Sequence, residues 1–105
     1  MQLQLKPNVM VIWTTTNLTI AEAFCRACRE VVGTDYIPTL TAGMDGTHSL
    51  ESGHYYGRAL DFRNIDLPGH MHGKIQAWVS DILGPKYLCL VEGNHFHIQR
   101  QKDSF

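Results

Sequence analysis

The last third of the chain holds two runs of strand length on either side of a three-residue turn. They are Lys86-Tyr-Leu-Cys-Leu-Val91, then Glu92-Gly-Asn94, then His95-Phe-His-Ile-Gln99. Such runs, rich in β-branched and aromatic residues around a glycine-bearing turn, form a β-hairpin. A hairpin leaves the fold few options. Side chains alternate along a strand, so His95 and His97 share one face while Phe96 points to the other. The chain must therefore bury the Phe96 face and leave two imidazoles on the opposite one.

The remaining elements follow from periodicity and punctuation. Val9–Thr14 (VMVIWT) reads as a buried strand. Thr19-Ile-Ala-Glu22 is a capping-box pattern opening a helix with Thr19 as N-cap. Ile20, Phe24, Ala27 and Val31 then recur at helical spacing, and Gly33 ends the helix. Ile37–Ala42 reads as a second strand with Pro38 at its edge or start, and Gly43–Gly57 as a polar loop. Arg58–Phe62 is a third strand with Ala59 and Asp61 on one face. Asp66-Leu-Pro68-Gly opens a second helix with Asp66 as cap; Ile75, Trp78, Val79 and Ile82 form its apolar face, and Gly84-Pro85 stops it. The order βαββαββ indicates an α+β domain, a mostly antiparallel sheet with two helices on one face. Trp13 and Trp78 are expected in the core, and residues 100–105 read as a frayed end.

With 105 residues the chain makes a single domain, residues 1–105. A net charge of −1 and 18% charged residues give no footprint for nucleic acid or a membrane surface, and no apolar run has the length of a membrane span. The N-terminus lacks the basic-then-apolar pattern of a signal peptide, so synthesis as a soluble cytoplasmic monomer is expected. The three cysteines cannot complete a disulfide framework. Cys25 and Cys28 have CxxC spacing, but no second such pair exists, and helical geometry puts Cys28 beside Phe24, Ala27 and Val31, a core position.

Chemistry concentrates in two places. In Thr47–Asp61 (THSLESGHYYGRALD), His54 precedes Asp61 by seven positions. Fully extended, that separation spans about 23 Å, so the chain must turn back for both to meet one ion. Gly57 is the residue between them free to take the required angles. The second place is the hairpin with His95 and His97, whose face meets Asp61 if the two strands are neighbours. Spacing alone leaves both a metal site and ordinary polar pairing open. His70 and His72 lie two apart on a helix, point to different sides, and read as surface histidines.

Ser52-Gly-His-Tyr-Tyr-Gly-Arg-Ala-Leu-Asp-Phe62 resembles the SxHxxGxAxD motif of the zinc D-alanyl-D-alanine peptidases and L-alanyl-D-glutamate endopeptidases of peptidoglycan. That motif and a later HxH unite them with the lysostaphin-type peptidases and the hedgehog signalling domain. The longer Asp45–Phe62 string is similar to hedgehog, and VEGNHFHIQ resembles the closing strand of phage-type members. The resemblance runs from about Thr39 to Gln99. It implies His54, Asp61 and His97 as ligands of one zinc ion, with water in the open fourth position of a catalytic site. It also implies Glu92 as the base that takes the water's proton and His95 as its helper or an oxyanion partner. His48, Ser52, Tyr55 and Arg58 are the candidates for lining the site and holding substrate.

Two departures from the family pattern stand out. Glu92 lies five positions before His97, a distance that varies between branches. The peptidases also tend to carry an arginine ahead of the motif for the substrate's carboxylate, whereas Leu40–Thr47 has none, and Arg58 and Arg63 are the nearest substitutes. The expected activity is hydrolysis of a peptide bond in the stem peptide of bacterial peptidoglycan. Small size and the lack of a leader suit a phage-encoded lysis or virion enzyme acting at the cell wall. The alternative is a hedgehog-like zinc module without hydrolysis, acting in recognition.

Overall fold

The computed structural model describes residues 1–43 and 57–101. Its elements are β1 (Gln4–Leu5), α1 (Thr15–Val31), β2 (Thr39–Ala42), β3 (Ala59–Arg63), α2 (Gly69–Leu83), β4 (Tyr87–Val91) and β5 (His95–Arg100). The strands form one five-stranded sheet in the order β1-β2-β3-β5-β4. Only β1 and β2 run parallel; the other neighbours are antiparallel. The expected α+β architecture is therefore present, with both helices against one face of the sheet.

Strand alternation sets that face. Leu40, Leu60, Phe62, Cys89, Phe96 and Ile98 are buried with Ile20, Phe24, Ala27, Cys28, Ile75 and Val79 of the helices in one core. Phe24 stacks on Phe62 with ring centroids 4.1 Å apart and meets Phe96 at 5.2 Å, so one helical ring ties two adjacent strands together. Cys28 is a core residue as its helical position implied. Gly33 takes a left-handed φ of 122° just past α1, and its N–H donates to Cys28 O, which closes the last turn.

Several local expectations are corrected. Val9–Thr14 is not a strand. Pro7 has no N–H to extend the ladder, and Asn8 turns the chain with φ 70°, so the first strand is the short β1 ahead of them. The apolar run instead crosses the surface as an irregular arm, with Met10 61%, Ile12 39% and Trp13 49% exposed. Trp13 is thus outside the core, as is Trp78 on the flank of α2. The helix begins at Thr15, four residues before the capping box. Thr14 caps it by accepting from Asn17 N–H, and buried Asn17 donates through Nδ2 to Ile12 O at 2.9 Å. Thr19 sits inside the helix, its hydroxyl donating to Thr15 O. Asp66 does not cap α2, which has no side-chain cap; its carboxylate accepts from the Tyr36 hydroxyl instead. Arg100 belongs to β5 rather than to a frayed tail. Among the described residues, no helix is long and apolar enough to cross a membrane.

Candidate functional site

The face of the sheet away from the helices carries the polar groups that the hairpin promised. In β3 the residues of this face are Ala59, Asp61 and Arg63; in β5 they are His95, His97 and Gln99. The antiparallel register pairs Asp61 with His97 and Arg63 with His95. Directly opposed residues have Cβ atoms about 5 Å apart, so their side chains meet without any loop to help them. Asp61 Oδ1 lies 2.7 Å from His97 Nδ1, and Asp61 Oδ2 lies 3.7 Å from His95 Nε2.

Further hydrogen bonds fix both imidazoles. His97 Nε2 lies 2.7 Å from Gln99 Oε1. An amide oxygen and a carboxylate both accept, so Nε2–H donates to Gln99 and Nδ1–H to Asp61, and the pair of bonds favours the ring with both nitrogens protonated. Burial lowers the His97 pKa, but the bonds to Asp61 and Gln99, together with the charges of Asp61 and Glu92, outweigh it, and the net shift is upward. His95 Nδ1 donates to Asn94 Oδ1 at 2.5 Å, which leaves Nε2 aimed at Asp61. Gln99 and Asn94 were not singled out from sequence. Gln99 was within reach of the same reasoning, because it stands two positions after His97 and hence on its face.

Glu92 occupies the hairpin turn, where its N–H donates to His95 O at 2.8 Å. Alternation from Leu90, the cross-strand partner of His97, gives Glu92 the same face as the histidines. Its backbone carbonyl accepts from Asn64 Nδ2, and Asn64 O in turn lies 2.9 Å from His72 Nε2. His72 is thus no free surface histidine. It reaches two backbone carbonyls, those of Asn64 and Leu67, and its ring meets the edge of Phe96. His70 is exposed, as expected.

Arg58 directly precedes β3 with the parity of Leu60 and Phe62, so alternation directs it away from Asp61; its carbonyl accepts from Arg100 N–H. His48, Ser52, His54 and Tyr55 lie outside the described residues. Among the described residues, no group of three or more His, Cys, Asp or Glu is placed to hold a metal. Among the described residues the donor set is a carboxylate oxygen beside an imidazole whose far N–H is tied to an acceptor, two of the three protein ligands that a catalytic zinc takes.

A cleft of about 380 Å³ opens beside this pair, with Asp61, Arg63 and His95 along one side and Lys6 and Thr41 along the other. Comparisons of the chain with protein-family models, with curated proteins and with solved structures give no match.

Proposed function

We propose that the chain is a zinc-dependent metallopeptidase that hydrolyses a peptide bond in the stem peptides of bacterial peptidoglycan. The observation that carries this is the register of β3 on β5, which brings Asp61 and His97 to 2.7 Å on the open face beside a cleft. Asp61 closes the SxHxxGxAxD string and His97 closes the HxH, and these two end residues are cross-strand partners. His54, Asp61 and His97 would hold the ion. When bound, zinc supplies Lewis acidity to the water and to the scissile carbonyl.

The chain's own groups supply the rest. Glu92, on the same face and exposed to solvent, takes the proton from water and returns it to the leaving amine. His95, its Nδ1–H held by Asn94, would donate from Nε2 to the oxygen that gains charge when the ring carries both protons. Gln99 holds the proton on His97 Nε2, so the proton that would leave on metal binding is the one on Nδ1.

Mass spectrometry of purified muropeptides, incubated with the zinc-loaded protein with and without chelator, tests this. A chelator-sensitive product is expected, and its mass identifies the bond. Intact muropeptides, from protein that demonstrably holds zinc, would replace hydrolysis by the non-catalytic recognition module.

A further inference from the structure

β4 is an outer strand of the sheet. Within Tyr87–Val91 there is no charge and no proline of the kind that keeps an edge from pairing, and Leu90 and Val91 are 40% and 38% exposed. The inner side of the strand is taken by β5. Glu92 N–H donates to His95 O and Lys86 O accepts from Gln101 N–H, so the even-numbered residues face β5. Antiparallel ladders alternate residue by residue, which turns the backbone groups of Tyr87, Cys89 and Val91 outward. Two of those groups have local partners. Tyr87 N–H donates to Gly84 O, and Cys89 O accepts from Gln76 Nε2 of α2 at 2.8 Å. A carbonyl oxygen has two lone pairs, so Cys89 O keeps one for a further donor.

The residues of the edge decide which strand fits it. Outward from Cys89 come Leu88 and Leu90, then Tyr87 and Val91, then Lys86 and Glu92. An antiparallel copy centred on Cys89 therefore sets leucine against leucine, Tyr87 against Val91 and Lys86 against Glu92, each pair twice. Aromatic–β-branched and opposite-charge pairs are favourable cross-strand neighbours. Lys86, Leu88, Leu90 and Glu92 share the open face, because Leu90 is the partner of His97. Moving the centre by one residue sets Lys86 against Leu90, or Glu92 against Leu88, and loses the ion pairs. In the centred pairing Cys89 N–H meets Cys89 O and Val91 N–H meets Tyr87 O, each in both directions, while Tyr87 N–H stays on Gly84.

We propose that β4 is a self-recognition edge, on which two copies of the chain pair antiparallel about Cys89 and join their sheets into one. The contact is one strand long, at the low end of interface sizes, so the dimer is transient. It replaces the monomer expected from the sequence, and it does not rest on the hydrolytic reading. Glu92 belongs to this contact as well as to the proposed site, so oligomeric state, not turnover, is the quantity to read.

Sedimentation equilibrium of the full chain at roughly 10–500 µM, a range suited to so small a contact, tests the pairing. A monomer–dimer equilibrium is expected within it. Lys86→Glu and Glu92→Lys each set like charges opposite one another at both ends of the strand, so each alone raises the dimer Kd roughly 10-fold or more. Mixed in equal amounts the two variants associate again, because a Lys86→Glu chain and a Glu92→Lys chain oppose unlike charges at both ends. Misfolded variants could not show this recovery. Amide exchange gives a second reading. The Cys89 and Val91 N–H groups slow as concentration rises, while those of Leu88 and Leu90, turned to β5 in either state, do not change. A wild-type chain that stays monomeric throughout overturns the proposal. So does a dimer that both charge variants leave intact, or one that mixing them does not restore.

Discussion

Asp61 and His97 are direct cross-strand partners, and the carboxylate oxygen of one lies 2.7 Å from the Nδ1 of the other. Two donors bound to one tetrahedral zinc at about 2.0–2.1 Å sit roughly 3.3 Å from each other. A small rotation of either side chain, with loss of the Nδ1 proton, would turn the hydrogen-bonded pair into the proposed ligand pair. No change in the backbone of β3 or β5 is needed, because the ladder already fixes the two Cα positions.

His97→Ala should abolish zinc retention and turnover together, and Asp61→Ala should do the same. Gln99→Leu removes no ligand but frees the His97 ring, and a loss of roughly 10–100-fold in zinc affinity is expected. Metal content after dialysis, read by mass spectrometry, checks all three. A His97→Ala protein that still holds one zinc per chain would remove the ion from this site.

Zinc added to the metal-free protein should raise its melting temperature, and chelator should reverse the change. At free zinc 100-fold above Kd the linkage is worth about 2.7 kcal/mol. For a domain of this size that is a rise of roughly 10 °C or more. His97→Ala should show no rise. An identical melting temperature with and without zinc in the wild-type protein would contradict a resident metal.

Glu92→Gln keeps the shape of the turn residue and its backbone bond to His95 while removing the carboxylate that accepts a proton. Zinc content should be unchanged and kcat should fall about 10²–10⁴-fold, the range for losing a general base. Full activity in this variant would hand the proton transfer to His95, and the pH–rate profile of His95→Gln would then be the deciding measurement.

What was legible in the sequence was local. The β4–β5 hairpin follows from alternation and a short turn, and Gly33 and Gly84 end their helices by backbone preference alone. Phe96 goes inward and His97 outward for the same reason. Signals that depend on partners distant in sequence were misread. Val9–Thr14 has the composition of a strand, but Pro7 and Asn8 turn it out of the ladder. Thr19 has the better cap pattern, yet Thr14 wins because its hydroxyl also donates to the Gly57 carbonyl across the fold. Lys6 was invisible as a site residue. It reaches the cleft through the parallel pairing of β1 with β2, in which Lys6 N–H donates to Leu40 O at 2.9 Å.

Alkaline pH should destabilise the fold through its buried thiols. Burial pushes Cys89 up to about 12, and burial, helped by Cys25 and Asp66, pushes Cys28 well above its ordinary 9.0. Between pH 9 and those values the unfolded chain has lost protons that the folded chain keeps, so stability falls as pH rises. Each thiol contributes about 1.4 kcal/mol per pH unit to the slope. Tyr36, raised by burial and by Asp66, joins above pH 10. Melting temperatures from pH 7 to 10.5 should drop steeply in the wild type and less so in Cys28→Ala/Cys89→Ala. Equal slopes in the two proteins would assign the alkaline loss to other groups.

The arm misread as a strand pins both glycines that bracket residues 44–56, the segment of the sequence that carries His48, Ser52 and His54. A Cβ on Gly43 would lie 2.3 Å from Met10 O, and one on Gly57 would lie 2.6 Å from Thr14 Cγ2. Gly57 also takes φ +68°, and its carbonyl accepts from the Thr14 hydroxyl. Thr14→Val removes both this bond and the cap of α1, so a loss of about 1–2 kcal/mol is expected. Thr14→Ser keeps both bonds and should cost little. Gly57→Ala meets two separate obstacles, the positive φ, worth about 1–3 kcal/mol, and the Thr14 methyl. Only the second disappears in Thr14→Ser, so Gly57→Ala should be less damaging there, with a coupling of roughly 1 kcal/mol in a urea-denaturation double-mutant cycle. Additive losses would mean that Thr14 does not press on Gly57. With coupling present, Thr14→Val should also weaken zinc retention, although it replaces no proposed ligand, because it loosens the backbone three positions after His54.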